Sequence, residues 1–268
     1  MPLSRLRLCR SMLYFPASNA RAIEKARALD ADMVILDCED SVKDEDKALA
    51  RQSAVAALDR GFGARVTALR VNADERWHRE DLAAAAQCAA DYVVLPKVEH
   101  AAQIERVADA SGKPVLAMVE TPQGLLSVVE IARVSAGLIA GTNDLAAALG
   151  IPSSAGRAGL AHGLQMMVLA ARAAGIAVFD GVYNRLEDDE GLAAECREGR
   201  AFGFDGKSLI HPRQIDLANR IFSPSDEDIA AARRLIAAAQ GGAERFEGRM
   251  IEAMHVAEAE NLLAKARA

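Results

Sequence analysis

Short runs of consecutive apolar residues recur along this chain at fairly even intervals, separated by Ala-rich, charge-bearing stretches. Met33-Val34-Ile35-Leu36 is typical, with four adjacent apolar positions and no alternation. A strand with one face in water alternates polar and apolar residues, so an unbroken run predicts a strand covered on both faces. Eight such strands are predicted, at 11–15, 32–36, 66–71, 92–95, 115–119, 137–140, 176–179 and 206–210. Helix signals fall between them. Ile23, Ala26 and Leu29 share one helical face behind a capping hydroxyl expected at Ser18. Thr121-Pro122 pairs a cap with a proline at the first helical position, and Gly175 suits a helix C-terminal stop.

Eight strand–helix units predict an α/β fold, a TIM (β/α)8 barrel over residues 1–222. A doubly wound open sheet is the structural alternative. Residues 223–268 exceed what closes a barrel. Helices are expected around 213–221 and 226–240 and a final segment over 247–266, forming a lid or an oligomer contact.

Composition narrows the class. The chain is 51% hydrophobic but only 4% aromatic, which predicts an aliphatic core under Ala-rich helices. A net charge of −6 points away from a nucleic-acid surface. The four cysteines show neither CxxC spacing nor a disulfide framework, so a reduced, cytoplasmic setting is expected. No apolar run approaches the roughly 18 residues of a membrane span, and the N-terminus lacks the apolar stretch of a signal peptide.

The polar residues follow the apolar runs rather than preceding them. Asp37, Glu39 and Asp40 come after the second, Arg70 and Asn72 end the third, and Lys97, Glu120, Asp144 and Asp180 follow the next four. Lys207 and His211 lie in and after the eighth. In a barrel all of them are expected at the C-terminal face, where such folds place their sites. Neighbouring strands lie about 5 Å apart, so Glu120 and Asp144 would repel unless a proton or cation separates them. A hard divalent ion suits such a pair, with Mg²⁺ the first candidate. Two readings stay open for each residue. Glu120 and Asp144 either serve that ion or cap the helices that follow them. Arg70 either neutralises Asp37, Glu39 and Asp40 or grips a ligand carboxylate with its planar fork. Lys97 and Lys207 are ion-pair members or ligand contacts, and His211 is read as a loop residue. No zinc-ligand spacing, G-x-S-x-G, P-loop or dinucleotide fingerprint competes.

Taken in order, several motifs resemble the citrate lyase beta-subunit-like family of the HpcH/HpaI aldolase superfamily. They are Met12-Leu13-Tyr14-Phe15-Pro16, Leu36-Asp37-Cys38-Glu39-Asp40-Ser41-Val42, Leu69-Arg70-Val71-Asn72, Leu95-Pro96-Lys97-Val98-Glu99 and Val119-Glu120-Thr121-Pro122. Gly141-Thr142-Asn143-Asp144-Leu145 and Lys207-Ser208-Leu209-Ile210-His211-Pro212 complete the set. The resemblance implies a barrel that forms trimers or hexamers and makes or cleaves carbon–carbon bonds in acyl thioesters. It implies Mg²⁺ on Glu120 and Asp144, and Arg70 on the carboxylate of a short 2-oxoacid or 2-hydroxyacid. Residues 14–25 look like the region that receives coenzyme A, from Tyr14 to Arg21 and Lys25 facing its phosphates. Asp180 and Gly181 match a backbone-lined part of that pocket.

The expected reaction is lyase cleavage of a malyl-, citramalyl- or citryl-CoA-like thioester into an acyl-CoA and a 2-oxoacid. An aldolase on free 2-oxoacids and a noncatalytic subunit of a thioester-handling complex are the alternatives. In the family the acid/base is an aspartate, in a C-terminal Gly-x-Met-(Ile/Val)-Asp motif offered by a neighbouring subunit. Here the matching stretch is Gly248-Arg249-Met250-Ile251-Glu252, with one more methylene before the carboxylate. Ala17-Ser18 and Thr142-Asn143 also depart from the common Gly-Asn and Ala-Glu.

Overall fold

The computed structural model describes residues 4–266. Eight strands, β1 (Ser11–Pro16), β2 (Met33–Asp37), β3 (Val66–Arg70), β4 (Tyr92–Leu95), β5 (Val115–Val119), β6 (Gly137–Ala140), β7 (Ala177–Asp180) and β8 (Gly206–Leu209), pair in chain order. All their pairings are parallel, and β8 returns to β1 with Met12 opposite Ser208. That closure makes a TIM barrel and eliminates the open sheet. The predicted strands lie within one residue of the observed bounds at every end.

Strand periodicity divides the core into two layers. Met12, Met33, Ile35, Ala68, Leu116 and Phe179 fill the barrel interior. Their neighbours Leu13, Val34, Leu36, Leu69, Ala117 and Val178 face outward into the cluster under the helices. Both layers are apolar, which is why the strands read as unbroken runs.

The helix signals hold with one correction. Thr121 accepts the Gly124 N–H at 3.0 Å ahead of the helix Pro122–Leu126, and Gly175 stops the helix Ala161–Ala174 at φ 72°. Ser18, however, is not a cap. Asn19 takes that place, its Oδ1 accepting the Ala22 N–H at 3.0 Å in front of the helix Ala20–Ala26.

Past β8 come the helices Ile215–Phe222 and Asp226–Ala238, then a hairpin absent from the sequence reading, β9 (Glu244–Phe246) with β10 (Arg249–Ile251). Its two-residue turn, Glu247 and Gly248, has φ of 45° and 82°. Positive φ at both centres is the twist-matched hairpin geometry, and Asn-Gly is its usual signal. Glu247 hid it. The terminal helix Ala253–Ala266 packs on Asp226–Ala238 through a separate small cluster that includes Ala232, Leu235, Ile251 and Ala259. No helix among the described residues is long and apolar enough to cross a membrane.

Candidate active site

The ends of β2 and β3 build one wall of the barrel mouth. Asp37 and Arg70 are register partners, two and four positions beyond Ile35 and Met33, or two beyond Ala68, so both point inward. Arg70 Nε and Nη2 each donate to Asp37 at 2.6 Å, and Nη1 lies 3.0 Å from Glu39 Oε2 and 3.8 Å from Asp40. The guanidinium also sits 5.0 Å from the centre of the Tyr14 ring. Burial alone would raise the Asp37 carboxyl; the Arg70 charge and the hydrogen bonds overcome it and hold the group below the usual range. Arg70 is therefore the partner of the acidic cluster, and it still lines the cavity at the mouth. The carboxylates fix its plane at the cavity wall.

A residue outside the sequence reading pins this wall from behind. Lys47 is buried, and its ammonium donates to the carbonyls of Cys38 and Glu39 at 2.9 and 2.7 Å and to Asn72 Oδ1 at 2.7 Å. Its signal was present. Lys47 lies on the stripe of Ala50, Ala54 and Ala57 that its helix buries, and a lysine in such register needs acceptors at its tip.

Glu120 follows β5 and faces inward beyond Met118. It is 5% exposed, and its Oε1 accepts the Lys97 N–H at 2.8 Å. Lys97 holds a left-handed φ of 54°, uncommon for a residue with a side chain. Across from it, a Cβ on Gly141 would collide with the Glu120 side chain. Glycine is required there for close approach. Burial, with Glu39 and Asp144 adding negative charge, pushes the Glu120 carboxyl up to about 7 against the Lys97 amide and Arg70.

Asp144 arrives differently from the expectation. β6 stops at Ala140, and Asp144 comes in the first turn of the helix Thr142–Ala148, exposed at the cavity. It makes no capping hydrogen bond, and Thr121 rather than Glu120 caps the helix after β5. Both carboxylates line the same cavity of about 350 Å³, with Tyr14, Arg70, Met118 and Ser208. Among the described residues no group of three His, Cys, Asp or Glu side chains gathers around a metal position. Two hard oxygen donors with the remaining positions left to water and ligand oxygens fit Mg²⁺, which retains several such ligands. The raised Glu120 carboxyl records burial first and the Glu39 and Asp144 charges after it, and a bound cation would offset both.

Two residues expected at the mouth point elsewhere. Asp180 is the neighbour of the inward Phe179, and Lys207 is the neighbour of the inward-facing Ser208, so strand alternation turns both toward the helices. Lys207 Nζ lies 2.9 Å from Asp180 and 2.7 Å from Glu195, and Arg157 reaches Asp180 at 2.8 Å. Burial would raise the Asp180 carboxyl, but the Lys207 and Arg157 charges hold it low. Lys207 is thus an ion-pair member, and any contact from Asp180 or Gly181 to a ligand falls to their backbone. Gly181 has its own steric reason, since a Cβ there would strike Thr142 and the Ala140 carbonyl. Lys97 pairs with Glu39 at 3.2 Å, and His211 Nδ1 accepts the Arg213 N–H in its own turn at 3.2 Å.

Arg21 and Lys25 stand exposed, one turn apart, on the helix after β1. Glu252 is exposed just past β10, its N–H held by His255 Nδ1 at 3.0 Å, and is not among the residues lining the cavity.

A closed parallel barrel with two carboxylates and a tethered arginine lining one cavity at its mouth has the layout in which TIM-barrel enzymes place their sites. This chain belongs to the HpcH/HpaI aldolase/citrate lyase family, whose profile matches residues 10–212. It is 45% identical over 271 residues to a (3S)-malyl-CoA thioesterase of Cereibacter sphaeroides, covering 97% of this chain and 95% of that protein. Citrate lyase subunit beta of Escherichia coli is 34% identical over 285 residues, with 98% and 94% covered. Among solved structures, CitE of Mycobacterium tuberculosis in complex with magnesium, acetoacetate and coenzyme A matches at a TM-score of 0.85 and 36% identity. That match covers 98% of this chain and 100% of the other.

Proposed function

We propose that this protein is a Mg²⁺-dependent enzyme acting on the coenzyme A thioester of a short hydroxydicarboxylic acid, malyl-CoA first, and that it hydrolyses the thioester. The observation that carries the reading is the Glu120–Asp144 pair facing the tethered Arg70 across one cavity of about 350 Å³. Such a space suits a four-carbon acyl group, while the nucleotide stays outside against Arg21 and Lys25. Glu120 and Asp144 would hold Mg²⁺, which would supply Lewis-acid polarisation of a substrate oxygen. Arg70 takes the substrate carboxylate with the N–H that Asp37 and Glu39 leave over, and its ties to them remove the need to reorganise when ligand arrives. In hydrolysis, water adds to the thioester carbon, the C–S bond breaks, and the products are free acid and thiol. Glu252, offered by a second copy of this chain, supports the base role toward that water.

Hydrolysis is favoured by the full-length 45% identity to malyl-CoA thioesterases. Carbon–carbon cleavage is the second reading, favoured by the likeness to citrate lyase beta and to complexes holding acetoacetate, oxaloacetate or pyruvate. It breaks the bond between the hydroxyl carbon and the methylene, leaving glyoxylate and acetyl-CoA. One experiment separates them: malyl-CoA with Mg²⁺ or EDTA, following free thiol and glyoxylate together. EDTA-sensitive thiol release with malate supports hydrolysis, and glyoxylate with acetyl-CoA supports cleavage. Neither product, from protein that binds Mg²⁺, overturns both.

A further inference from the structure

Six buried side-chain atoms among the described residues lack a hydrogen-bond partner: Arg7 Nε, Tyr14 Oη, Glu39 Oε2, Arg157 Nε, Ser208 Oγ and Asn219 Oδ1. Three of these sit in ion pairs, Glu39 with Arg70 at 3.0 Å, Arg157 with Glu198 at 3.2 Å and Arg7 with Asp205 at 3.5 Å. Asn219 anchors through its other amide atom, donating to the Asp30 carbonyl at 2.7 Å. The hydroxyls of Tyr14 and Ser208 have no ion pair to explain them and face only each other, and both line the mouth cavity. Two hydroxyls that meet only each other leave at least one O–H without an acceptor, and in a cavity wall that points to a partner that enters from the cavity.

Their placement follows from the barrel. Ser208 is opposite Met12 in the β8–β1 pairing, and Tyr14 is two residues further along β1, so both side chains face inward on adjacent strands. Ser208 is 1% exposed. Burial, with the Asp37 and Glu120 charges, pushes the Tyr14 phenol up against the Arg70 charge and a hydrogen bond with the Ser208 hydroxyl, so the phenol keeps its proton. Arg70 lies over the Tyr14 ring and has three N–H directions committed to Asp37 and Glu39. An anionic ligand beside Arg70 therefore needs further donors. In a cavity already rich in carboxylates, neutral hydroxyls supply them without a standing charge.

We propose that Ser208 and Tyr14 form a neutral donor subsite that receives the same ligand carboxylate as Arg70, and so select short oxyacids over acyl groups ending in alkyl. This inference rests on the functional reading above, because it takes the ligand to be a small carboxylate. The test is calorimetric titration of pyruvate and oxaloacetate, in Mg²⁺, into wild type, Ser208→Ala and Tyr14→Phe, with the Tm of each ligand-free protein.

Each variant is expected to raise the Kd about tenfold, the worth of one hydrogen bond to a charged group. Ligand-free Tm should hold, since each hydroxyl meets only the other in the empty cavity. Unchanged Kd in both variants, with wild type binding, overturns the subsite and leaves the functional reading intact. Weaker binding accompanied by a lower Tm also overturns it, because the hydroxyls then support the fold. Wild type that binds neither acid overturns the functional reading together with the subsite.

Discussion

Glu120 is held in the cavity wall at a cost to the fold. Its carboxyl is raised to about 7 by burial and acidic neighbours, above the ordinary 4.5. The folded state therefore binds a proton that the unfolded chain has lost, and the metal-free protein loses stability as pH rises from about 4.5 through about 7. At pH 8 that cost is fully present. Glu120→Gln should abolish Mg²⁺ binding and turnover yet raise the metal-free Tm at pH 8 by a few degrees, readable by calorimetry with EDTA. A fall in Tm would show that the charged carboxylate supports the fold. Gly141→Ala should also lose Mg²⁺, because the new Cβ displaces the Glu120 side chain. Arg70→Lys keeps the charge but loses the fork that fits Asp37. A drop of about a hundredfold in kcat/KM is expected, on the scale of misplacing a site group by an ångström.

At the scale of elements, alternation along a strand decides which polar residues belong to the site. Asp37, Arg70 and Glu120 share the inward parity of Ile35, Ala68 and Met118, whereas Asp180 and Lys207 have the outward one. Reading polar residues after apolar runs as convergent was sound for the strand ends. It overreached for β7 and β8 because it ignored parity. The buried ion pairs on both faces have a pH signature. Asp37 and Asp180 both titrate below the ordinary 3.8. Their stabilisation is thus present above that value and lost as pH falls through the depressed folded values. Thermal melts should show a steep loss of Tm in strong acid. Asp180→Asn should flatten that slope and cost about 3–5 kcal/mol at pH 7, since Lys207 stays buried with less compensation. If the melts at pH 7 are unchanged, the network is not holding β7 and β8 to the helix Asp189–Phe202.

At the scale of the whole molecule, Glu252 does not line the cavity of its own chain. A homo-oligomer in which each C-terminal extension reaches a neighbouring mouth is our reading. Glu252→Gln should then lower kcat while leaving the Kd for Mg²⁺ and for oxaloacetate unchanged. Mixing inactive Glu120→Gln with Glu252→Gln under conditions of subunit exchange should restore part of the activity, because some sites combine two intact halves. No recovery, in mixtures shown by mass spectrometry to have exchanged, would place Glu252 outside the site.

Sequence alone determined the barrel, because two-sided burial writes each strand as an unbroken apolar run and the chain repeats that run eight times. It also marked the strand-end acids and Arg70, which stand out as charges directly after apolar segments. Tertiary structure decided the rest. Whether Asp180 faces ligand or helix depends on one residue of strand phase, which a run apolar on both faces does not encode. Asp144 reaches its partner through a helical turn rather than a strand end, and Lys47 finds its three oxygens only when two loops meet over its helix. The unmatched hydroxyls of Tyr14 and Ser208 lie almost 200 residues apart in the chain and become neighbours only when β8 closes on β1. Local pattern records burial, but a site is made of long-range contacts, and these exist only after the barrel has closed.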